Sequence, residues 1–173
     1  MRPYIICHMM ASLDGRIDCD MTEQIDDTTA QFGKPLLMIL SEWASEEYLE
    51  YLRGKGISYI TVGDHALNEH NEKAAYKKYD IAIDLSAAME ILRKEFGVER
   101  LAVVGGGHIN GSMLDLGLID EVSMMYGYGI DGREGMAAAF DGRPKKREPV
   151  RLTFKSVEER DGIVWLRYTT NNK

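Results

Sequence analysis

Three consecutive glycines, Gly105, Gly106 and Gly107, interrupt the stretch LAVVGGGHINGSMLDLGLIDE, Leu101 to Glu121, between an aliphatic run and a helix-like segment. Glycine is the costliest residue to order, so three in a row need a physical reason. Two are open. Either the chain turns or packs where no β-carbon fits, or a ligand comes close to the main chain. In the second case free N–H groups and the positive end of a helix favour an anion, and a pyrophosphate-bearing cofactor is the natural guest. The glycines do not form the G-x-G-x-x-G dinucleotide fingerprint, and they follow a late strand instead of the first one, which argues against a Rossmann dehydrogenase. Asp120 and Glu121 form a carboxylate pair of the kind used in acid–base catalysis. At the start of a strand, they are expected instead to bind main-chain donors. Cys7 and Cys19 suggest neither a disulfide framework nor, without a C-x-x-C, a zinc site; no metal is expected.

The elements that must position these residues follow from pattern. Tyr4 to Met10 is a short apolar run ended by the turn formers SLDG, and reads as a buried strand feeding a tight loop. PLLMIL, Pro35 to Leu40, is a second strand. EEYLEYLRGKG after Ser45 has helical spacing and a glycine stop. ISYITV, Ile57 to Val62, and IAID, Ile81 to Asp84, read as strands. Ser86 is placed to cap the helix AAMEILRKEFG, with Arg93 and Lys94 near its end and Gly97 as its stop. A strand from Leu101 to Val104, a helix from Ile109 to Leu116 and a strand from Ile119 to Tyr126 come next. Finally, RLTFKSVEERDGIVWLRYT holds two strands joined around Asp161-Gly162, a hairpin signal. Strands alternating with helices predict an α/β fold with a mostly parallel central sheet, helices on both faces and an antiparallel C-terminal hairpin. Met9, Met10, Met113, Met124 and Met125 fall on these elements and are expected in the core.

The chain has 173 residues, 45% of them hydrophobic, enough for one well-buried core and one domain. A formal charge of −7 provides no field for a nucleic-acid backbone. The basic cluster PKKRE, Pro144 to Glu148, reads as a solvated loop. The first apolar run is interrupted by His8 and ends in a turn, unlike a signal sequence or a membrane span. A soluble, cytoplasmic protein with no membrane partner is expected.

In combination and order, ASLDGRID after the first strand, VVGGGHINGSMLDLGLIDEV and then YGIDGREG resemble the reductase domain of bacterial riboflavin biosynthesis. That domain is the C-terminal half of the bifunctional deaminase-reductase, and its fold is the three-layer fold of dihydrofolate reductase. The resemblance runs from Arg2 to about Gly135, and the terminal hairpin agrees in kind. It implies a single reductase domain over residues 1–173 that uses NADPH. The glycine-rich loop would hold the cofactor phosphates through Gly105, Gly106, Gly107, His108, Ile109, Asn110 and Gly111, largely by main-chain contact. Met10 and Ala11 would pass the nicotinamide, and Ser41 would lie near the adenosine phosphate. The implied chemistry is hydride transfer to the ribose C1 of a phosphoribosylamino-pyrimidine, opening the ring to a ribityl chain. Asp14 is the acidic candidate near the nicotinamide, weighed against a purely turn-holding role. His8 takes the place of a family lysine close to the substrate, weighed against a satisfied core histidine. Ser12, Gln24 and Val104 would face the substrate. A homodimer is also implied, with the C-terminal strands as its candidate seam.

Two departures from the family qualify this. Val104 stands where the family places a glutamate against the pyrimidine, and an apolar side chain cannot replace those hydrogen bonds. A related pteridine-like or pyrimidine substrate, or a domain that binds a nucleotide without turnover, are the alternatives. The passage from Asp26 to Lys34 is also shorter than the family's, which there adds a helix, a strand and a Gly-Arg loop. A sheet missing an internal strand would leave edge groups to be paired.

Overall fold

A computed structural model of the chain describes residues 1–17, 36–63 and 83–171. Among these residues ten elements follow in order: β1 (Tyr4–Ala11), β2 (Leu37–Leu40), α1 (Glu46–Gly54), β3 (Ser58–Thr61), α2 (Leu85–Lys94), β4 (Arg100–Val103), α3 (Gly107–Asp115), β5 (Glu121–Tyr126), β6 (Leu152–Arg160) and β7 (Ile163–Thr170). Ser45 caps α1 as its sequence suggests, accepting from the Tyr48 amide. Asp84, not Ser86, caps α2. Its extended backbone lets the carboxylate accept from the Ala87 amide at 2.9 Å, while Ser86 is already inside the first turn. The expected strand IAID is therefore no strand at Ile83 and Asp84, and Ile81 and Ala82 lie outside the described residues. α3 starts at Gly107, two residues before Ile109, so the last glycine of the triplet belongs to the helix. At the hairpin, Asp161 (φ 53°) and Gly162 (φ 81°) both take positive φ, the requirement of a type I′ turn.

β1 lies between β4 and β5 and is parallel to both, while β7 and β6 extend the sheet antiparallel from β5 in the order β4-β1-β5-β7-β6. β2 and β3 form a separate parallel pair, and among the described residues no strand joins them to β4. The period of two in β1 sorts its residues by face. Ile5, Cys7, Met9 and Ala11 are buried, and they cluster with Leu85, Ala88, Met89 and Leu92 of α2 and Met113 of α3. Leu37, Ile39 and Ile60 of the two-stranded sheet pack against the same cluster. Tyr4, Ile6, His8 and Met10 alternate onto the opposite, partly exposed face. Of the five methionines expected in the core, Met9, Met113 and Met124 are fully buried there, whereas Met10 and Met125 are half-buried.

Asp120 ties the sheet together where three strands meet. Its carboxylate accepts both guanidinium nitrogens of Arg2, at 2.6 and 2.8 Å, and the Ile5 amide at 2.7 Å. Its own amide donates to the Ile5 carbonyl and its carbonyl accepts from Thr170. Burial pushes this carboxyl up, but the Arg2 pair and the Ile5 amide outweigh it and hold the group below the usual carboxylate range. Glu121 binds side-chain donors instead of the main-chain donors expected: Lys155 at 2.5 Å and the Tyr4 hydroxyl at 3.1 Å. The reason is a β-bulge between Phe154 and Ser156, whose extra residue, Lys155, reaches across to β5. Both carboxylates are thus occupied as structural acceptors.

Candidate active site

Because β4, β1 and β5 run in parallel, their carboxyl ends share one end of the sheet, and the loops that follow them meet there. This end of the sheet brings together Met10 and Ala11 at the end of β1, Ser12 and Asp14 in the loop after it, Val104 to Gly106 and the start of α3 at Gly107, and residues 127–141 after β5. The junction is stitched by main-chain bonds: Gly127 donates to Ala11, Leu13 to Gly129, Ile17 to Ala137 and Ala139 to Gly15. Ser41 follows β2, in the separate sheet. Gln24 and the passage from Asp26 to Lys34 lie outside the described residues.

The glycines separate by physical role. Gly105 has φ 136°, a conformation that L side chains rarely adopt. Gly106 is the N-cap of α3 in extended backbone, with no side-chain cap and open space where a β-carbon would be. Gly107 and Gly111 instead face the chain's own backbone: a β-carbon would lie 2.2 Å from the Ala138 carbonyl oxygen and 1.8 Å from that of Asp141. Asn110, fully buried, donates from Nδ2 to the Ala139 carbonyl at 2.7 Å, while its Oδ1 has no hydrogen-bond partner among the described residues. Close packing therefore accounts for two glycines and backbone conformation for a third. Gly106 alone leaves room beside an uncapped helix start, the combination that receives an anion. His108 is exposed and Ile109 half-buried in the same first turn.

Asp14 accepts from the buried Ser12 hydroxyl at 2.5 Å and from the amides of Asp131 and Gly132 at 3.1 and 3.0 Å. The Ser12 hydroxyl and these amides hold its carboxyl well below the usual carboxylate range. Through these bonds it clamps the SLDG turn to the loop after β5. Ser12 in turn accepts from the Arg16 amide at 3.0 Å, and Arg16 donates to the Met136 carbonyl at 2.8 Å. Val104 is 71% exposed at the rim of the junction. Cys7 is fully buried with its thiol pushed up to about 12 by burial, which excludes it as a nucleophile.

His8 sits on the half-exposed face, with Nδ1 2.9 Å from the Ser123 hydroxyl and its ring edge-on to Trp165. Neither Ser123 nor Trp165 carries a motif in the sequence; only the alternation of β5 and β7 placed them on one face with His8. Among the described residues no group of His, Cys, Asp and Glu could hold a metal ion, and no helix is long and apolar enough to cross a membrane. A cleft of about 410 Å³, with Leu114, Phe140, Arg143 and Pro149 in its wall, takes in none of the predicted site residues.

A parallel strand trio with a glycine loop after β4, extended by an antiparallel C-terminal hairpin, is the dihydrofolate reductase-like fold, in the form taken by riboflavin-pathway reductases. The family model of the RibD C-terminal domain matches residues 19–165, and the chain belongs to that family. No match is found among the curated proteins. Among solved structures, a pyrimidine reductase-like protein from Corynebacterium diphtheriae superposes with a TM-score of 0.72 at 12% identity, covering 99% of this chain and 93% of that one. RibD of Acinetobacter baumannii gives 0.63 at 14% identity over 98% of this chain, which spans only 58% of that protein. The riboflavin biosynthesis reductase Rib7 of Saccharomyces cerevisiae gives 0.58 at 15%, with coverages of 98% and 89%. At these identities the superpositions speak for a shared fold.

Proposed function

We propose that this chain is a single-domain, NADPH-dependent reductase of the riboflavin-biosynthesis type, acting on the ribose of a phosphoribosylamino-pyrimidine. The observation that carries the reading is the uncapped start of α3 beside the open Gly106, at the carboxyl end of the strand trio of a RibD C-terminal domain. These residues fit a dinucleotide phosphate, because amide donors and a helix terminus meet there without a side chain in the way. Gly105, Gly106, Gly107, His108 and Ile109 would hold the phosphates. Gly111 and Asn110 would support the loop from behind through residues 138–141. Met10 and Ala11 would line the nicotinamide, and Ser41 would approach the adenosine end.

When bound, NADPH supplies the hydride. The chain's own part is to orient the two partners, exclude water and provide donors. Asp14 keeps the first loop in place as a positioning residue, with Ser12 as its partner. His8 and Gln24 would bind polar groups of the substrate, and Val104 would present an apolar surface to it. That valine also supports a second reading, reduction of a related pteridine-like or pyrimidine compound that needs no hydrogen bond at this position. NADPH oxidation assayed against phosphoribosylamino-pyrimidines and dihydrofolate tests both. Turnover of a phosphoribosylamino-pyrimidine is expected; NADPH binding without oxidation of any compound would leave a nucleotide-binding domain.

Assembly as a homodimer in the cytoplasm belongs to the same proposal. Its support is an apolar strip on the C-terminal hairpin, where Phe154 and Val157 are 59% and 54% exposed.

A further inference from the structure

His8, Ser123, Arg167 and Ser156 form one cross-strand row on the half-exposed face of the sheet, and Met10, Met125, Trp165 and Glu158 form the next. One hydrogen bond joins these rows and another runs along the first. Trp165 Nε1 lies 2.8 Å from Ser123 Oγ, and Ser123 Oγ lies 2.9 Å from His8 Nδ1. An indole N–H only donates, so the Ser123 oxygen is an acceptor in the first contact. Its hydroxyl has one hydrogen, and at 2% exposure it has little access to water. Among the described residues the remaining close acceptor is His8 Nδ1. Were His8 to donate from Nδ1, the serine oxygen would accept twice and a buried O–H would be left unpaired.

We infer that Ser123 and Trp165 are positioning residues that lock neutral His8 into the Nε2–H tautomer, so that the ring offers a donor to an acceptor oxygen of the ligand. The ligand half of this inference rests on the proposed reading that a phosphorylated sugar binds against β1; the tautomer half does not. The support beneath the serine is rigid. The Trp165 ring lies under the guanidinium groups of Arg167 and Arg160, 4.7 and 5.5 Å from its centroid. Arg167 is held by Ser156 at 2.8 Å and Glu158 at 3.1 Å, and Arg160 by Glu158 at 2.7 Å. The indole N–H is thereby aimed before any ligand arrives. A partner that fixes one imidazole nitrogen decides what the other presents.

The test is a two-bond proton–nitrogen spectrum of the protein labelled with 15N-histidine, at alkaline pH where imidazole is neutral. His8 is expected in the Nε2–H pattern. Ser123→Ala should lose that preference and show both tautomers, and Trp165→Phe should move the population toward Nδ1–H. Circular dichroism and the amide spectrum confirm that both variants are folded; if Ser123→Ala is not, Trp165→Phe alone decides. An Nδ1–H pattern in the wild type, or spectra unchanged in the folded variants, would overturn the relay. Titration with ribose 5-phosphate in the presence of NADPH should shift the His8 Nε2 resonance. No shift would overturn the donor role at the ligand. The NADPH oxidation assay fails or succeeds separately, since the tautomer spectrum needs no turnover.

Discussion

A methyl group added at Gly111 would meet the Asp141 carbonyl oxygen at 1.8 Å, and at Gly107 the Ala138 carbonyl oxygen at 2.2 Å, whereas at Gly106 it would meet nothing within 4 Å. Backbone cannot move aside as a flexible side chain does, so Gly107→Ala and Gly111→Ala are expected to lose at least about 1–3 kcal/mol. Chemical denaturation measures that loss. Gly106→Ala, at an extended φ of −81°, should leave the denaturation midpoint close to wild type. Under the proposed function, Gly106→Ala should weaken NADPH binding about tenfold or more by blocking close approach to the amides. A calorimetric titration reads this directly, and unchanged affinity would remove the phosphates from this loop. Asp14→Ala should lower turnover by releasing residues 131 and 132, and Asp14→Asn should restore part of it, since an amide oxygen can still accept one of their N–H groups.

The three-strand junction at Asp120 and the bulge-bound Glu121 hold β1, β5 and the hairpin in register. For both carboxyls, burial raises the pKa but hydrogen-bond and ionic partners outweigh it, leaving each below its ordinary value. A depressed pKa in the folded state means that the unfolded chain binds protons more readily as pH falls. The stability these groups supply is therefore complete above the ordinary carboxylate range of about 4 and is lost as pH drops through it toward the folded values. Urea denaturation between neutral pH and about pH 3 should show that decline. Asp120→Asn keeps the size but loses the charge, so it should cost about 1.5–3 kcal/mol at neutral pH and flatten the acid dependence. A variant as stable as wild type, with the same acid slope, would show that Arg2 and the Ile5 amide find other partners.

At the scale of the whole molecule, one face of the five-stranded sheet is covered by α2 and α3, and the same face continues onto the hairpin, where Phe154 and Val157 meet solvent. An apolar strip of this kind is where a second copy would pack. Light scattering should return twice the 19.5 kDa chain mass, and Val157→Glu should reduce it to one. A clean monomer for the wild type would remove the dimer from the proposal. A formal charge of −7 further predicts no salt-sensitive binding to nucleic acid, which a fluorescence titration with duplex DNA checks.

Much of the fold was legible because its signals are local. The turn chemistry of Asp161-Gly162, the apolar run of β1 and the helical spacing after Ser45 each depend on neighbours along the chain, and each forms the expected element. Boundaries slipped where two residues competed for one role, as Asp84 and Ser86 did for a single helix start. The glycine triplet announced an unusual backbone, but its residues acquired separate reasons only when residues 138–141 folded across α3. Strand order and register are tertiary quantities, set by how the apolar faces bury together. They alone brought His8 to Ser123 and Trp165, and Asp14 to the loop after β5, because such contacts depend on which strands lie side by side and not on spacing along the chain.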